Sequence, residues 1–200
     1  DPFVYIQQYP QLYSGNAKSG SPLFISKPGV LNVDGVECIT TMEGIYNYHW
    51  HVMEHDYANR LIANKKARPG WTRFQCVCVL DLHGLSAAQI TKRALNIIQK
   101  QTEIDSLCFP ETMERMVVVN VPRFFALTWR LIKGWIDPRT AGKIELIASR
   151  KQWEGRLREL VDADQLPSDY GGKGEDTNVT LMRTAPDGVV RQSTHLMNVG

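Results

Sequence analysis

The sequence lacks long hydrophobic runs and an excess of charge of one sign. No stretch approaches roughly 18 consecutive apolar residues, so no segment is predicted to cross a membrane. Lys and Arg number 23 against 21 Asp and Glu, which argues against a dedicated nucleic-acid-binding protein. The N-terminus lacks the basic and apolar regions of a signal peptide and begins without Met. We therefore expect a mature product or a fragment.

Motifs of several enzyme classes are also missing. No GxSxG elbow supplies a hydrolase nucleophile, and no GxGxxG pattern indicates a dinucleotide site. The glycine-rich run 171–174 lacks the spacing of a phosphate-binding loop, so it is interpreted as a chain turn.

Cysteine is scarce, and its spacing does not fit a zinc site. The four cysteines are Cys38, Cys76, Cys78 and Cys108. We expect reduced, buried thiols in a cytosolic protein. Cys76 and Cys78 lie two apart in a predicted strand, so they share a face and cannot easily form a disulfide with each other.

One enzyme-like pattern is present, the HxxEH sequence that starts at His51 and ends at His55. On a helix, this spacing places two imidazoles on one face, as in inverted zincins. A peptidase needs a third, distant ligand, and no downstream residue marks one. Exposed or half-buried helical histidines are the favoured interpretation, and no metal is expected; a metalloprotein is the alternative.

Apolar patterning predicts an α/β fold. Predicted strands cover residues 22–26, 74–82, 116–121 and 144–148. Predicted helices cover 38–62, a segment around 90–98, a Trp-rich segment after 123, and 150–161. Strand–helix–strand alternation at this spacing predicts a mainly parallel sheet with crossover helices. Residues 11–21 are predicted to be a loop.

The segment 123–143 is unusually apolar and basic. Apolar side chains occupy almost the whole circumference of the predicted helix, and Pro138 is expected to end it. Five basic residues and one acidic residue accompany them. Such a helix suits either a core position with basic ends or a position that meets an anionic bilayer.

Four stretches together resemble the CRAL-TRIO lipid-binding domain, in its Sec-fourteen-like phosphatidylinositol transfer branch. They are CVLDLHGLS (78–86), FPETMERMVVVNVPRFF (109–125), WIDPRTAGKIELI (135–147) and LPSDYGGK (166–173). The resemblance covers about residues 20–175. It implies an α/β fold whose mainly parallel sheet floors a lipid cavity, closed by a mobile gate helix in the place of the Trp-rich segment.

The resemblance also implies site residues. The inositol-headgroup residues of the family fall on Glu111, Thr140 and Lys143, which supply an acceptor, a hydroxyl and a point charge. The residues expected to line the cavity or the gate are Cys76, Cys78, Phe124, Phe125, Trp129, Ile132, Trp135 and Ile136.

Two departures from the family pattern matter. The N-terminal helical lobe of the family has no counterpart, so the chain is expected to begin inside the domain. The paired hydroxyls that bind phosphatidylcholine phosphate in yeast-type members fall on Cys76 and Cys78. Thiols are weak donors, so a preference for phosphatidylinositol is expected.

The expected function is non-enzymatic binding and transfer or presentation of a phosphatidylinositol-like phospholipid. This lipid is the expected ligand, with no other cofactor. The expected partners are this lipid, a transient anionic membrane surface and flanking domains of a longer protein, but no nucleic acid. We expect a cytoplasmic, peripherally membrane-associated protein with its lipid-binding domain at 1–175 and a tail or linker at 176–200. The alternatives are a cavity for a tocopherol-like or retinoid-like ligand and a regulatory protein-interaction module.

Overall fold

The computed structural model describes residues 2–183, which form a five-stranded sheet with helices on both faces. The strands are β1 (Gln11–Asn16), β2 (Pro22–Ser26), β3 (Cys76–Asp81), β4 (Met113–Val119) and β5 (Ile144–Ile147). The α-helices are α1 (Pro2–Gln8), α2 (Val33–Ile39), α3 (Met42–His51), α4 (Ala58–Ala67), α5 (Lys92–Cys108), α6 (Phe125–Lys133), α7 (Pro138–Ala141), α8 (Arg150–Leu160) and α9 (Thr177–Arg183). Single 3₁₀ turns lie at Pro28–Val30, Ala87–Gln89 and Ser168–Tyr170, and a π-helical turn, Val52–Tyr57, joins α3 to α4.

The strands lie in the order β1-β2-β3-β4-β5, and every pair from β2 to β5 is parallel. The predicted α/β fold with a mainly parallel sheet is therefore confirmed. Parallel neighbours need crossover connections, which contain α2 to α4, α5, and α6 with α7. Strands β2 to β5 all begin at the same edge of the sheet, which we call the leading edge.

The predicted loop at 11–21 is wrong in its first half. Residues Gln11–Asn16 form β1, an edge strand antiparallel to β2. Only Leu12 in it is buried, and the pairing is irregular between Tyr13 and Asn16. An edge strand buries few side chains, so its sequence carries little of the apolar alternation that predicts a strand.

The predicted helix at 38–62 is interrupted and extends further than expected. Helix α2 ends at Ile39, and Thr41 starts α3 by accepting a hydrogen bond from the backbone N–H of Gly44 at 3.1 Å. A threonine in extended conformation is a favourable N-cap, which explains the break. The helical path then continues through the π-helical turn to Ala67.

The thiols differ from the expectation that all four are buried. Each cysteine is free, but only Cys76 is buried, and Cys78 is half-buried. Cys38 and Cys108 are exposed, because they lie at the end of α2 and at the last residue of α5.

The chain after residue 175 begins with packed structure. Thr177 is buried, and Leu181 of α9 belongs to the main core. The domain limits at 175 and 176 stay a prediction, and residues 184–200 of the predicted tail lie outside the described residues.

Candidate functional site

The residues predicted to bind a lipid headgroup meet at the leading edge. Glu111 lies in the turn before β4, and Lys143 immediately precedes β5. Because β4 and β5 are parallel neighbours, the residues before them must lie side by side. The sheet therefore joins two positions that are far apart in sequence.

Lys143 and Glu111 form an ion pair. The Lys143 Nζ donates to Glu111 Oε2 at 2.8 Å and to the Met113 carbonyl at 3.1 Å. The Lys143 hydrogen bond and charge lower the pKa of the Glu111 carboxyl. The Lys143 side chain is 24% exposed and that of Glu111 53%, so an incoming phosphate can reach the ammonium.

Thr140 is held close to this pair by the short helix α7. Asp137 caps that helix by accepting hydrogen bonds from the backbone N–H groups of Arg139 and Thr140, and these bonds lower the pKa of Asp137. The Lys143 N–H donates to the Thr140 carbonyl at 2.9 Å. The structure thus places the backbone of Thr140 next to the Lys143–Glu111 pair. An ammonium, a hydroxyl and a carboxylate are groups that match a phosphate with neighbouring sugar hydroxyls. Their role in lipid binding stays a prediction.

The backbone at Glu111 is unusual, since its φ is +60°. Left-handed backbone is disfavoured for a residue with a Cβ, and such conformations cluster at functional sites. The carboxylate of this residue lies beside Lys143.

Helix α6 occupies the position of the predicted gate. It begins at Phe125 and ends at Lys133, so the expectation that Pro138 ends the helix is wrong. Gly134 forms the C-cap, and Trp135 and Ile136 lie in the turn that follows. These two side chains and Trp129 still pack with the buried Phe125 and Ile132 against the sheet.

The outer side of α6 is apolar and exposed. Leu127 is 70% exposed and Leu131 is 48%, and Phe124 at the N-cap is 40% exposed. Arg130 and Lys133 lie in its last turn. An amphipathic helix normally turns polar residues outward, so this surface fits contact with an apolar or interfacial environment.

The two faces of the sheet are buried to different extents. On the face covered by α8, the inward side chains of the central strands are all 0% exposed: Leu23, Ile25, Val77, Val79, Val117 and Val119. On the face covered by α6, Phe24, Cys78, Leu80 and Met116 are only half-buried, although Ser26, Cys76 and Val118 are buried. Interior strands packed tightly under a helix would be sealed on both faces. Solvent therefore reaches apolar side chains between the sheet and α6, and we call this the gate face.

Cys76 and Cys78 lie together on the gate face. Their sulfur atoms are 3.8 Å apart, and Cys78 pairs in register with Phe24 and Met116. The hydrogen bond with Cys78 and burial raise the pKa of the Cys76 thiol well above its usual value. The pair is thus a neutral, weakly polar surface within an apolar face, and its contact with lipid stays a prediction.

Strand alternation could have identified further residues of the gate face. The alternation of side chains that places Cys78 on the gate face also places its register partners there. These partners across neighbouring strands are Phe24, Met116 and Ile144. Tyr13 stacks on Tyr57 at a ring distance of 6.4 Å and was missed, because its strand was not predicted.

The histidines of the HxxEH sequence are both exposed, with ring centroids 4.8 Å apart. His49 instead contacts Asp105, with 2.7 Å between Nε2 and Oδ1. Among residues 2–183, no group of three or more His, Cys, Asp or Glu side chains is arranged to hold a metal ion. The expected absence of a metal stays a prediction.

Across the described part of the chain, no helix combines the length and the apolar character needed to cross a membrane.

Comparisons with known proteins agree with this architecture. The chain is 33% identical over 168 residues to "SEC14 cytosolic factor" of Candida glabrata, covering 84% of this chain and 54% of that protein. It is 32% identical over 171 residues to "Phosphatidylinositol/phosphatidylcholine transfer protein SFH4" of Arabidopsis thaliana, covering 84% of this chain and 27% of that protein. The chain thus spans about half of the first relative and about a quarter of the second.

A solved structure and a family model complete the comparison. The structure described as "Crystal structure of Sfh5" superposes with a TM-score of 0.59 at 17% identity, covering 94% of this chain and 62% of that chain, and it shows the fold alone. The model of the CRAL/TRIO domain matches residues 6–172. The chain belongs to the CRAL/TRIO domain family.

Proposed function

We propose that this domain binds a phosphatidylinositol-like phospholipid and exchanges it with membranes without bond cleavage. The observation that carries the proposal is the unequal burial of the two sheet faces. Apolar side chains on interior strands under α6 remain accessible, while those on the opposite face are fully sealed. An accessible apolar space beneath a helix is suited to acyl chains.

The leading edge supports the choice of headgroup. Lys143 provides a cation for phosphate, and Thr140 and Glu111 provide groups for inositol hydroxyls. The ion pair with Glu111 satisfies the charge of Lys143. A lipid phosphate would therefore compete with one exposed carboxylate, which is a small electrostatic cost. The two relatives are named for phosphatidylinositol and phosphatidylcholine transfer or as a cytosolic factor.

Helix α6 supplies the route of entry and exit. Burial of each CH₂ group from water contributes about 0.8 kcal/mol, so exposure of two acyl chains to water would be very unfavourable. A lipid can therefore leave a membrane only if the protein encloses its acyl chains in an apolar space. The outward Leu127 and Leu131 can insert at the interface while the helix moves away from the sheet. The domain then acts as a peripheral, cytoplasmic lipid carrier, with flanking domains in a longer protein as further partners.

The decisive experiment combines native mass spectrometry with a transfer assay. Protein purified from a eukaryotic host is expected to carry one phospholipid per chain and to move labelled phosphatidylinositol between vesicles. A tocopherol-like or retinoid-like molecule would move the proposal to another apolar ligand, and no ligand with no transfer would favour a regulatory interaction module. Stoichiometric zinc that is lost in His51→Ala would favour the metalloprotein.

The thiol pair predicts selectivity between lipids. Two thiols donate weakly, so the unmodified domain is expected to prefer phosphatidylinositol to phosphatidylcholine. The variant Cys76→Ser/Cys78→Thr is expected to raise phosphatidylcholine transfer about tenfold, since a hydrogen bond to a charged group contributes about 1.5 kcal/mol or more.

The control for this prediction is the variant Cys76→Ala/Cys78→Val, which offers no hydroxyl. Transfer of phosphatidylinositol by all three proteins reports on folding and on the shape of the space. Equal transfer of both lipids by the unmodified chain would contradict the idea, as would a folded Ser/Thr variant that gains nothing over the control.

A further inference from the structure

The segment 58–74, which comprises α4 and the chain that leads into β3, has an unusual charge. It contains five basic residues, Arg60, Lys65, Lys66, Arg68 and Arg73, and no acidic residue. The whole chain has a net charge of only +2. We call this segment the basic flank.

The basic flank is exposed along its length. No residue of α4 is buried, and each of the five basic residues is exposed. Arg73 pairs with Glu114 at 3.5 Å. Within residues 2–183, no carboxylate oxygen lies within 4.0 Å of the charged groups of Lys65, Lys66 or Arg68. These charges are therefore free to act on an external anion.

Two large apolar side chains accompany the charges. Ile62 is 53% exposed and Phe74 is 52% exposed. A nucleic acid offers little to an exposed isoleucine, and a protein surface would need a complementary apolar patch. An interfacial segment of a membrane combines both features, because apolar groups enter the headgroup layer while Lys and Arg attract anionic lipid.

The basic flank is fixed at the leading edge by hydrogen bonds. The Asn64 Nδ2 donates to Asn16 Oδ1 at 2.6 Å and to the Gly20 carbonyl at 2.8 Å. The Trp71 indole N–H donates to the Ser19 carbonyl at 3.0 Å. The turn between β1 and β2 that accepts these bonds lies where β2 begins, which is the leading edge.

The flank is also tied to the headgroup region. The hydroxyl of Tyr57, the residue before α4, donates to the carbonyl of Phe74. The same hydroxyl lies 3.3 Å from the carbonyl oxygen of Thr112, which follows Glu111 in the chain. The C-terminal end of α6 reaches the same edge, since the chain passes from it through α7 to Lys143 and β5. The flank, the candidate headgroup residues and the end of the gate thus share one side of the molecule.

We infer that the basic flank is a second membrane-docking surface, which binds anionic bilayers independently of helix α6. It orients the leading edge toward the lipid surface, so that the gate opens against the bilayer instead of against water. This inference rests on the proposed function for its purpose, but the docking itself needs neither a bound lipid nor a moving gate.

The test uses the variant Lys65→Gln/Lys66→Gln in co-sedimentation with phosphatidylcholine vesicles that contain phosphatidylserine. Each basic residue near an anionic surface contributes about fivefold to binding, so the double variant is expected to bind about 25-fold more weakly at low salt. The wild-type advantage should shrink as salt is raised, because ions screen exposed charges over about 10 Å at 0.1 M.

The matched control is Lys92→Gln/Lys151→Gln, which removes two exposed lysines at the start of α5 and α8. These helices follow the C-terminal ends of β3 and β5, so both lysines lie on the side of the sheet opposite the leading edge. The control variant is expected to bind like the wild type. A second variant, Ile62→Ser/Phe74→Ser, is compared with the wild type in the same assay at low and at high salt. It is expected to lose the vesicle binding that remains at high salt, because its side chains no longer insert into the apolar part of the bilayer.

The outcomes separate the inference from the proposed function. A protein that exchanges phosphatidylinositol while Lys65→Gln/Lys66→Gln binds anionic vesicles like the wild type keeps the function and overturns the docking surface. A protein that carries no lipid but loses vesicle affinity in that variant refutes the function and supports the surface. An equal loss of vesicle binding in the control variant overturns the inference.

Discussion

Replacing Lys143 by alanine is expected to lower phosphatidylinositol transfer about 30-fold while leaving the fold intact. The ammonium is the only cation among the three candidate headgroup residues, and a hydrogen bond between charged groups contributes about 2 kcal/mol. Glu111, its ion-pair partner, is exposed, and an exposed ion pair contributes little to stability. The measurements are the vesicle transfer rate and the thermal unfolding midpoint.

A lysine that lies elsewhere on the surface serves as the control for this variant. Lys151 at the start of α8 is exposed and lies at the opposite edge of the sheet, so Lys151→Ala should transfer phosphatidylinositol at the wild-type rate. If Lys143→Ala also transfers at the wild-type rate with an unchanged midpoint, the headgroup does not bind at Lys143. A loss of transfer with a midpoint lowered by more than about 5 °C would instead show a structural role for this lysine.

The parts of the fold that the sequence predicted are those with strong apolar patterns. Residues 76–80 of β3 and 116–119 of β4 are continuous runs of small, β-branched and apolar residues, and both strands lie in the interior of the sheet. Strand β1 escaped prediction because only one of its six residues, Leu12, is buried, so its sequence shows little apolar alternation. Helix ends were misplaced where a single side chain decides them, as Thr41 does at the start of α3.

The candidate site was predictable in its residues but not in its contacts. The segment around Thr140 and Lys143 resembles the family in its amino-acid sequence. The ion pair with Glu111, by contrast, depends on the register between β4 and β5. The unequal burial of the sheet faces also requires the packing of α6, because both faces read as apolar in sequence. The basic flank was not singled out from the sequence, and its position at the leading edge depends on the hydrogen bonds of Asn64 and Trp71.

The scaffold behind the site depends on a half-buried carboxylate at the opposite edge of the sheet. Asp81 at the end of β3 accepts hydrogen bonds from Asn120 Nδ2 at 2.7 Å and from the Tyr170 hydroxyl at 2.9 Å. Burial and the Asp81 charge raise the pKa of Tyr170, so its phenol remains a donor. Asn120 in turn accepts from the Trp153 indole N–H at 3.2 Å. This network joins β3, β4, α8 and the loop 166–173.

Asp81→Ala is expected to lower the free energy of unfolding by about 3 kcal/mol and the midpoint by roughly 10 °C. The loss exceeds that of one hydrogen bond, because the Tyr170 hydroxyl and the Asn120 amide both lose their acceptor. Tyr170 is only 2% exposed, so water cannot readily replace Asp81 as the acceptor of its hydroxyl. The measurements are urea unfolding and thermal unfolding followed by circular dichroism, and the exposed Asp164→Ala is the matched control, expected to leave both midpoints nearly unchanged.

A double-mutant cycle with Tyr170→Phe tests the stated cause. Tyr170→Phe alone should cost about 1–2 kcal/mol, and Asp81→Ala/Tyr170→Phe should cost about 1 kcal/mol less than the sum of the two single variants. The double variant no longer leaves a buried hydroxyl without an acceptor, which is why the two losses overlap. Strict additivity would mean that the two side chains act independently, and the network could not then hold the loop 166–173 against the sheet through Asp81.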